Sequence, residues 1–216
     1  MNYRGIFFDF DYTLGDATDS IVAGFQNAFF KMGRPVPDRD AIRATVGYLL
    51  EDAYTLLSGD ASPEGRAQFR PYYQEAALPS QLEGIALFPG TVELLQGLHR
   101  AGVKLAIVSS RRSLTIERTL EGAGLSEAVE FVIGSTDVTR HKPDPEGLLL
   151  AMDRLGLKPD EVLYCGDTVM DAGAAQNAGC HFCAVLNGTT KEEAFAPFPK
   201  VHVAPDLFAL AAWLGL

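Results

Sequence analysis

Residues 9–13 read Asp9-Phe10-Asp11-Tyr12-Thr13 and follow directly on the apolar stretch Ile6-Phe7-Phe8. Two like charges about 4 Å apart repel by about 4 kcal/mol at an effective dielectric near 20, so Asp9 and Asp11 need a cation or a proton between them. Another carboxylate, Asp167, closes the apolar run Val162-Leu163-Tyr164-Cys165-Gly166. Three carboxylates brought together suit a hard cation, and Mg²⁺ is the ion whose oxygen ligands leave room for water and a phosphate. Ser109 and Ser110 end the run Val103–Val108, and Gly134-Ser135-Thr136-Asp137 leads from Phe131-Val132-Ile133 toward His141-Lys142-Pro143.

Blander readings account for some of these residues. A calcium loop starting at Asp9 fails, because Leu14 stands where glycine is needed and Ser20 where a bidentate glutamate is needed. Helix capping explains Asp16 and Asp19 better than catalysis does. His141 reads as an exposed loop histidine rather than a base. Asp171 is equally an acidic residue in a first helical turn and a carboxylate supporting the site.

These residues must be positioned by strands. Arg4–Phe10, Val103–Val108, Phe131–Ile133, Val162–Cys165 and Phe182–Leu186 are short apolar runs of strand type. Helical patterns alternate with them at 91–100, 114–122, 145–155 and 169–178, most of them closed by glycine. The expectation is an α/β fold, a Rossmann-like parallel sheet with helices on both faces. In such sheets ligands bind at the carboxyl ends of the strands, which is where all four polar clusters fall.

Residues 17–84 break the alternation with helical patterns only, at 20–32, 38–45, 49–57 and in a run opened by Ser62-Pro63 that Pro71 should kink or break. This predicts a helical subdomain over 17–84 inserted into a catalytic core of residues 1–16 and 85–216.

The 216 residues suffice for one core with such an insertion, and 47% hydrophobic residues fit an ordinary globule. A net charge of −10 argues against nucleic acid or an anionic membrane as a partner. Cys165, Cys180 and Cys183 are odd in number and sit among apolar neighbours, which reads as buried thiols in a reducing compartment. Cys180-His181-Phe182-Cys183 resembles half a zinc site, but a strand turns positions i and i+3 to opposite faces. The first apolar run is too short for a signal peptide and none reaches ~18 residues, so the expected location is the cytoplasm. Asn187-Gly188-Thr189, a formal glycosylation acceptor, then reads as a turn. Nothing in the pattern sets an oligomeric state.

Asp9-x-Asp11-x-Thr13 after an apolar strand, Ser109 ending an Ile-Val-Ser-Ser strand, Lys142-Pro-Asp-Pro and Gly166-Asp-Thr-x-x-Asp171, in that order, resemble the haloacid dehalogenase-like hydrolase superfamily. The match runs the length of the chain and is nearest the phosphoglycolate phosphatase-like branch. The long interval from Thr13 to Ser109 resembles the type whose cap is inserted after the first motif. The resemblance implies a Mg²⁺-dependent phosphatase of a small phosphorylated metabolite, working through an aspartyl-phosphate.

It implies that Asp9 is the nucleophile, that Asp11 is the acid and then base, and that Thr13 orients the nucleophile loop. Ser109, with Ser110, would bind phosphoryl oxygens, and Lys142 would neutralise charge between nucleophile and phosphate. Asp9, the main-chain carbonyl of Asp11 and Asp167 would hold Mg²⁺, supported by Asp171. Tyr12 departs from the family's usual glycine, and its ring is expected at the mouth of the site, facing the cap and shaping substrate choice.

Arg43, Gly47, Tyr48, Arg70, Tyr72 and Tyr73 are the cap candidates for meeting substrate, the arginines suiting a carboxylate or second phosphate, while solvated helix faces and cap core explain the set better. A phosphosugar mutase or phosphotransferase would use the same nucleophile. A dehalogenase would need neither Asp11 nor a metal, and a catalytically silent Mg²⁺-binding protein would lack one of the motif residues.

Overall fold

The computed structural model describes residues 3–216. The buried strand β1 (Gly5–Phe8) comes first, followed after a tight turn by β2 (Gly15–Asp16). Four helices follow: α1 (Thr18–Lys31), α2 (Arg39–Arg43), α3 (Leu50–Ser58) and α4 (Pro63–Glu83). The chain returns through β3 (Ala86–Leu87), antiparallel to β2, so the two short strands tie the ends of the insertion together. Then come α5 (Thr91–Arg100), β4 (Lys104–Val108), α6 (Ser113–Gly122), β5 (Phe131–Ile133) and α7 (Glu146–Leu155). They are followed by β6 (Val162–Gly166), α8 (Val169–Ala178), β7 (His181–Val185), β8 (His202–Ala204) and α9 (Leu207–Leu214).

The main sheet has the order β5-β4-β1-β6-β7-β8, and every neighbouring pair is parallel. This is the α/β Rossmann-like arrangement expected. Pleating divides β1 between two apolar layers, with Ile6 and Phe8 on one side and Phe7 on the other. The same alternation sends Cys183 to the first layer and Cys180 to the second, and all three cysteines are buried and free. Because β1 lies between β4 and β6, the residues that follow these three strands converge at one edge of the sheet.

The insertion has its own aromatic core. Phe69 on α4 stacks on Tyr54 of α3 at 4.7 Å between ring centres and lies 5.1 Å from Phe25 of α1. Ser62 caps α4 by accepting from the Gly65 amide, with Pro63 in the first turn. Contrary to the break expected at Pro71, α4 runs unbroken through both Pro71 and Pro79. Its buried face, Phe69, Tyr73 and Ala77, packs into the same core as Phe25 and Ala28 of α1, and that packing outweighs the backbone bonds the prolines remove.

The sequence reading stopped short of β8 and α9. An Asp206 carboxylate capping the Ala209 amide and a left-handed Gly215 mark the ends of α9, and both were signals in the sequence. No helix among the described residues is long and apolar enough to cross a membrane.

Candidate active site

Asp9 is the first residue past β1, and its amide donates to the Cys165 carbonyl at 2.8 Å, extending the β1–β6 ladder by one bond. That pins its carboxylate, 2% exposed, over the carboxyl end of the sheet. Asp167 stands one residue past β6, also 2% exposed, and accepts from the Thr13 hydroxyl at 3.3 Å. Asp171, in the first turn of α8, has no exposed surface. These three carboxylates have oxygens within 4.8 Å of one another.

Lys142 enters this cluster from the loop before α7. Its Nζ lies 2.6 Å from Asp171 Oδ1 and 3.0 Å from Asp9 Oδ1. The approach to Asp9 is an ion contact off the line of a hydrogen bond, so the buried Asp9 Oδ1 has no hydrogen-bond partner. Burial works against the charged lysine, but Asp171 and Asp9 outweigh it and hold the ammonium above its usual pKa.

Asp171 is fully occupied. Beside Lys142 it accepts from Tyr164 Oη at 3.0 Å, from the Thr168 amide at 3.0 Å and from Thr168 Oγ1 at 2.5 Å. A carboxylate with four donors holds its neighbours in place, so of the two sequence readings for Asp171 the structure favours both at once: it closes a capping box on α8 and fixes Lys142.

Asp11 does not join the cluster. Its carboxylate turns to Arg111, whose Nε lies 3.0 and 2.9 Å from the two oxygens and whose Nη2 lies 2.8 Å from Oδ1. Each carboxylate therefore has its own protein cation: Arg111 faces Asp11, and Lys142 faces Asp9. Sequence reasoning passed over Arg111, although it stands directly after Ser109-Ser110 at the end of β4, where such a residue points into the site.

Ser109 is buried beside Asp9 and Asp11 along one cavity of about 220 Å³, with Ser110 next to it. Ser110 Oγ donates to the Gly47 carbonyl at 3.3 Å, so the α2–α3 loop of the insertion touches the end of β4. A Cβ on Gly47 would lie 2.7 Å from Thr168 Cγ2, which reserves this close approach for glycine. The insertion closes the cavity from above with Gly47, Tyr48, Arg70 and Tyr73. Arg43 and Tyr72 lie outside the lining, the first with its Nε 3.4 Å from Tyr12 Oη and the second under Lys31. His141 is part of the lining.

Tyr12 is not at the mouth of the site. It is 3% exposed, is absent from the cavity wall, and pairs its hydroxyl with Thr18 Oγ1 at 2.8 Å, at the start of α1. Its φ of 58° is the only positive value at a non-glycine position among the described residues. The tight turn 10–15 throws the ring toward the insertion's first helix, away from the substrate space. Asp16 accepts from the Thr18 amide at 2.9 Å and steadies the same entry into α1, but it does not cap the helix, whose N-cap is Ala17 with no side-chain bond.

The site fits a divalent cation. Asp9 Oδ1 meets only the Lys142 ammonium, and Asp167 has only the Thr13 hydroxyl, whereas Asp171 is engaged on both oxygens by Lys142 and by the amide and hydroxyl of Thr168. A Cβ on Gly188 would lie 2.1 Å from Asp167 Oδ2, so glycine there keeps that oxygen clear of side chains. Burial raises the Asp9 carboxyl most, Lys142 opposes, Asp171 and Asp11 add, and the group is pushed up to about 6. Burial likewise drives Asp167 well above the usual carboxylate range, with Asp171 and Asp9 adding to it.

A carboxyl whose pKa is higher in the folded state binds more protons when folded, so its contribution is lost as pH rises from the unfolded pKa through the folded one. The metal-free protein should therefore melt higher near pH 5 than near pH 7, and added Mg²⁺ should remove most of the difference. Differential scanning fluorimetry with and without chelator reads this; chelated protein whose melting temperature rises over that interval contradicts the charge balance described.

The sequence profile of the haloacid dehalogenase-like hydrolase family matches residues 6–185. A phosphoglycolate phosphatase of Salmonella typhimurium is 30% identical over 221 aligned positions, covering 91% of this chain and 86% of that protein. IndB of Dickeya dadantii, named as a probable phosphatase, is 36% identical over 204 positions, covering 92% of this chain and 88% of its own length. Among solved structures, a haloacid dehalogenase-like hydrolase from Bacteroides fragilis superposes with a TM-score of 0.92 at 36% identity, over 96% of this chain and 99% of that one. The chain belongs to the haloacid dehalogenase-like hydrolase family. Within that family it is an enzyme of the phosphatase kind.

Proposed function

We propose that the protein is a Mg²⁺-dependent phosphomonoesterase of small metabolites that works through an aspartyl-phosphate on Asp9. The observation that carries this reading is the buried Asp9 carboxylate lining the cavity, whose Oδ1 meets only the Lys142 ammonium at 3.0 Å, beside a second buried carboxylate, Asp167. Asp9 and Asp167, with the main-chain carbonyl of Asp11, would hold Mg²⁺. The ion, when bound, neutralises charge on the phosphoryl oxygens and favours the ionised nucleophile.

The protein's own residues supply the rest. Asp9 Oδ attacks phosphorus, the bond to the ester oxygen breaks, and the departing oxygen takes a proton from Asp11, which for this step must be turned from its ion pair with Arg111 and carry a proton when substrate binds. Asp11 then takes a proton from water, whose oxygen attacks phosphorus and returns Asp9 as a free carboxylate with inorganic phosphate. Ser109 donates to a phosphoryl oxygen, and Lys142, fixed by Asp171 and Tyr164, offsets the negative charge gathered between nucleophile and phosphate. Thr13 holds Asp167 through its hydroxyl.

Residues 1–16 and 85–216 form the catalytic core in this reading, and 17–84 form a cap that excludes water and selects substrate. Purified protein should hydrolyse p-nitrophenyl phosphate in the presence of Mg²⁺ and stop when chelator is added. Activity indifferent to chelator sinks the metal assignment, and no hydrolysis of any phosphomonoester sinks the reading.

A further inference from the structure

We infer that the alcohol part of the substrate is uncharged and partly apolar, rather than a small carboxylate. This rests on the phosphatase reading above and concerns what the helical insertion recognises.

The cavity lining is of two kinds. Asp9, Asp11, Ser109 and Arg111 belong to the phosphoryl site, where the Arg111 guanidinium is already taken by both oxygens of Asp11. Ile21 and Phe25 of α1, Leu50 and Ala53 of α3, Leu78 of α4 and Val46 give the same cavity an apolar wall. The insertion contributes one cation to the lining, Arg70, and its Nε lies 2.5 Å from Glu51 Oε1, which lines the same space. That pair sums to no net charge.

A leaving group bearing a carboxylate would lie beside Glu51 and an apolar wall without gaining an unshared cation from the insertion. Carbon placed against the same wall gains ~25 cal/mol for each Å² covered. Gln74 and Tyr48, also in the lining, offer hydrogen bonds to neutral hydroxyl or amide groups. The lining's remaining arginine, Arg112, sits on the core side at the start of α6, is exposed, and forms no ion pair among the described residues. It is the one arginine of the lining without a carboxylate partner among the described residues, so the test includes it.

The experiment compares kcat/KM for two primary alkyl esters, 2-phenylethyl phosphate and phosphoglycolate, in Mg²⁺. The expected result is a preference for the phenylethyl ester of about 10-fold or more, the effect of covering tens of Å² of apolar surface. Leu78→Lys, at a half-buried position and checked for folding by circular dichroism, should narrow that ratio by placing an unpaired cation in the wall. Equal or better use of phosphoglycolate by the unaltered protein overturns the inference, and its loss in Arg112→Gln would then assign the carboxylate to Arg112. Hydrolysis of p-nitrophenyl phosphate with neither alkyl ester accepted also overturns it. Failure on all three esters would instead refute the phosphatase reading.

Discussion

Asp9→Asn should lower kcat/KM on any phosphomonoester by at least about 10³-fold, roughly 4 kcal/mol of transition-state stabilisation. An amide is uncharged and too weak a nucleophile to form an acyl phosphate, while its shape fills the same buried space. Folding should be little affected, because the substitution removes a carboxylate that burial already disfavours and leaves Lys142 its 2.6 Å contact with Asp171. The readouts are therefore steady-state kinetics and a melting curve on the same sample. A large loss of rate with a preserved melting temperature separates chemistry from scaffold; retained activity would move the nucleophile elsewhere.

Lys142→Met should damage both. The Lys142 side chain is 7% exposed and lies among three carboxylates, of which Asp9 and Asp167 are 2% exposed and Asp171 not at all. Removing the cation leaves buried negative charge uncompensated, which costs about 3–5 kcal/mol. For a chain of this size that lowers the melting temperature by roughly 10 °C. Mg²⁺ should restore part of the stability, because it supplies a cation to Asp9 and Asp167, but it should not restore turnover. A variant as stable as the parent in chelator would show that the charge of Lys142 does not hold the cluster together.

The parts of this site that could be read in advance are those whose chemistry depends on sequence-local geometry. A carboxylate at a strand end is conspicuous because apolar runs and polar residues alternate so sharply at Phe8–Asp9 and Gly166–Asp167. The insertion was legible for a similar reason, since periodicity of 3.6 replaced the strand pattern over 17–84 and its helices appear within a few residues of the places expected.

What stayed hidden depends on contacts between distant segments. Arg111 and Asp11 are 100 residues apart and meet only because β4 and β1 are neighbours in the sheet. Tyr12 was placed by analogy with the glycine it replaces, but its side chain follows from one backbone angle that the turn imposes, and that angle carries it to Thr18. Pro71 has a strong local preference against helix interiors, and it was overridden by an aromatic core assembled from three helices.

The role of Asp9 as a covalent nucleophile is tested most directly by trapping. Turnover of p-nitrophenyl phosphate in Mg²⁺, quenched in acid and treated with borohydride, reduces an aspartyl-phosphate to homoserine, and peptide mass spectrometry locates it. The account predicts homoserine at position 9, absent without substrate and absent in Asp9→Asn. Homoserine at any other aspartate, in protein that turns over, would contradict it.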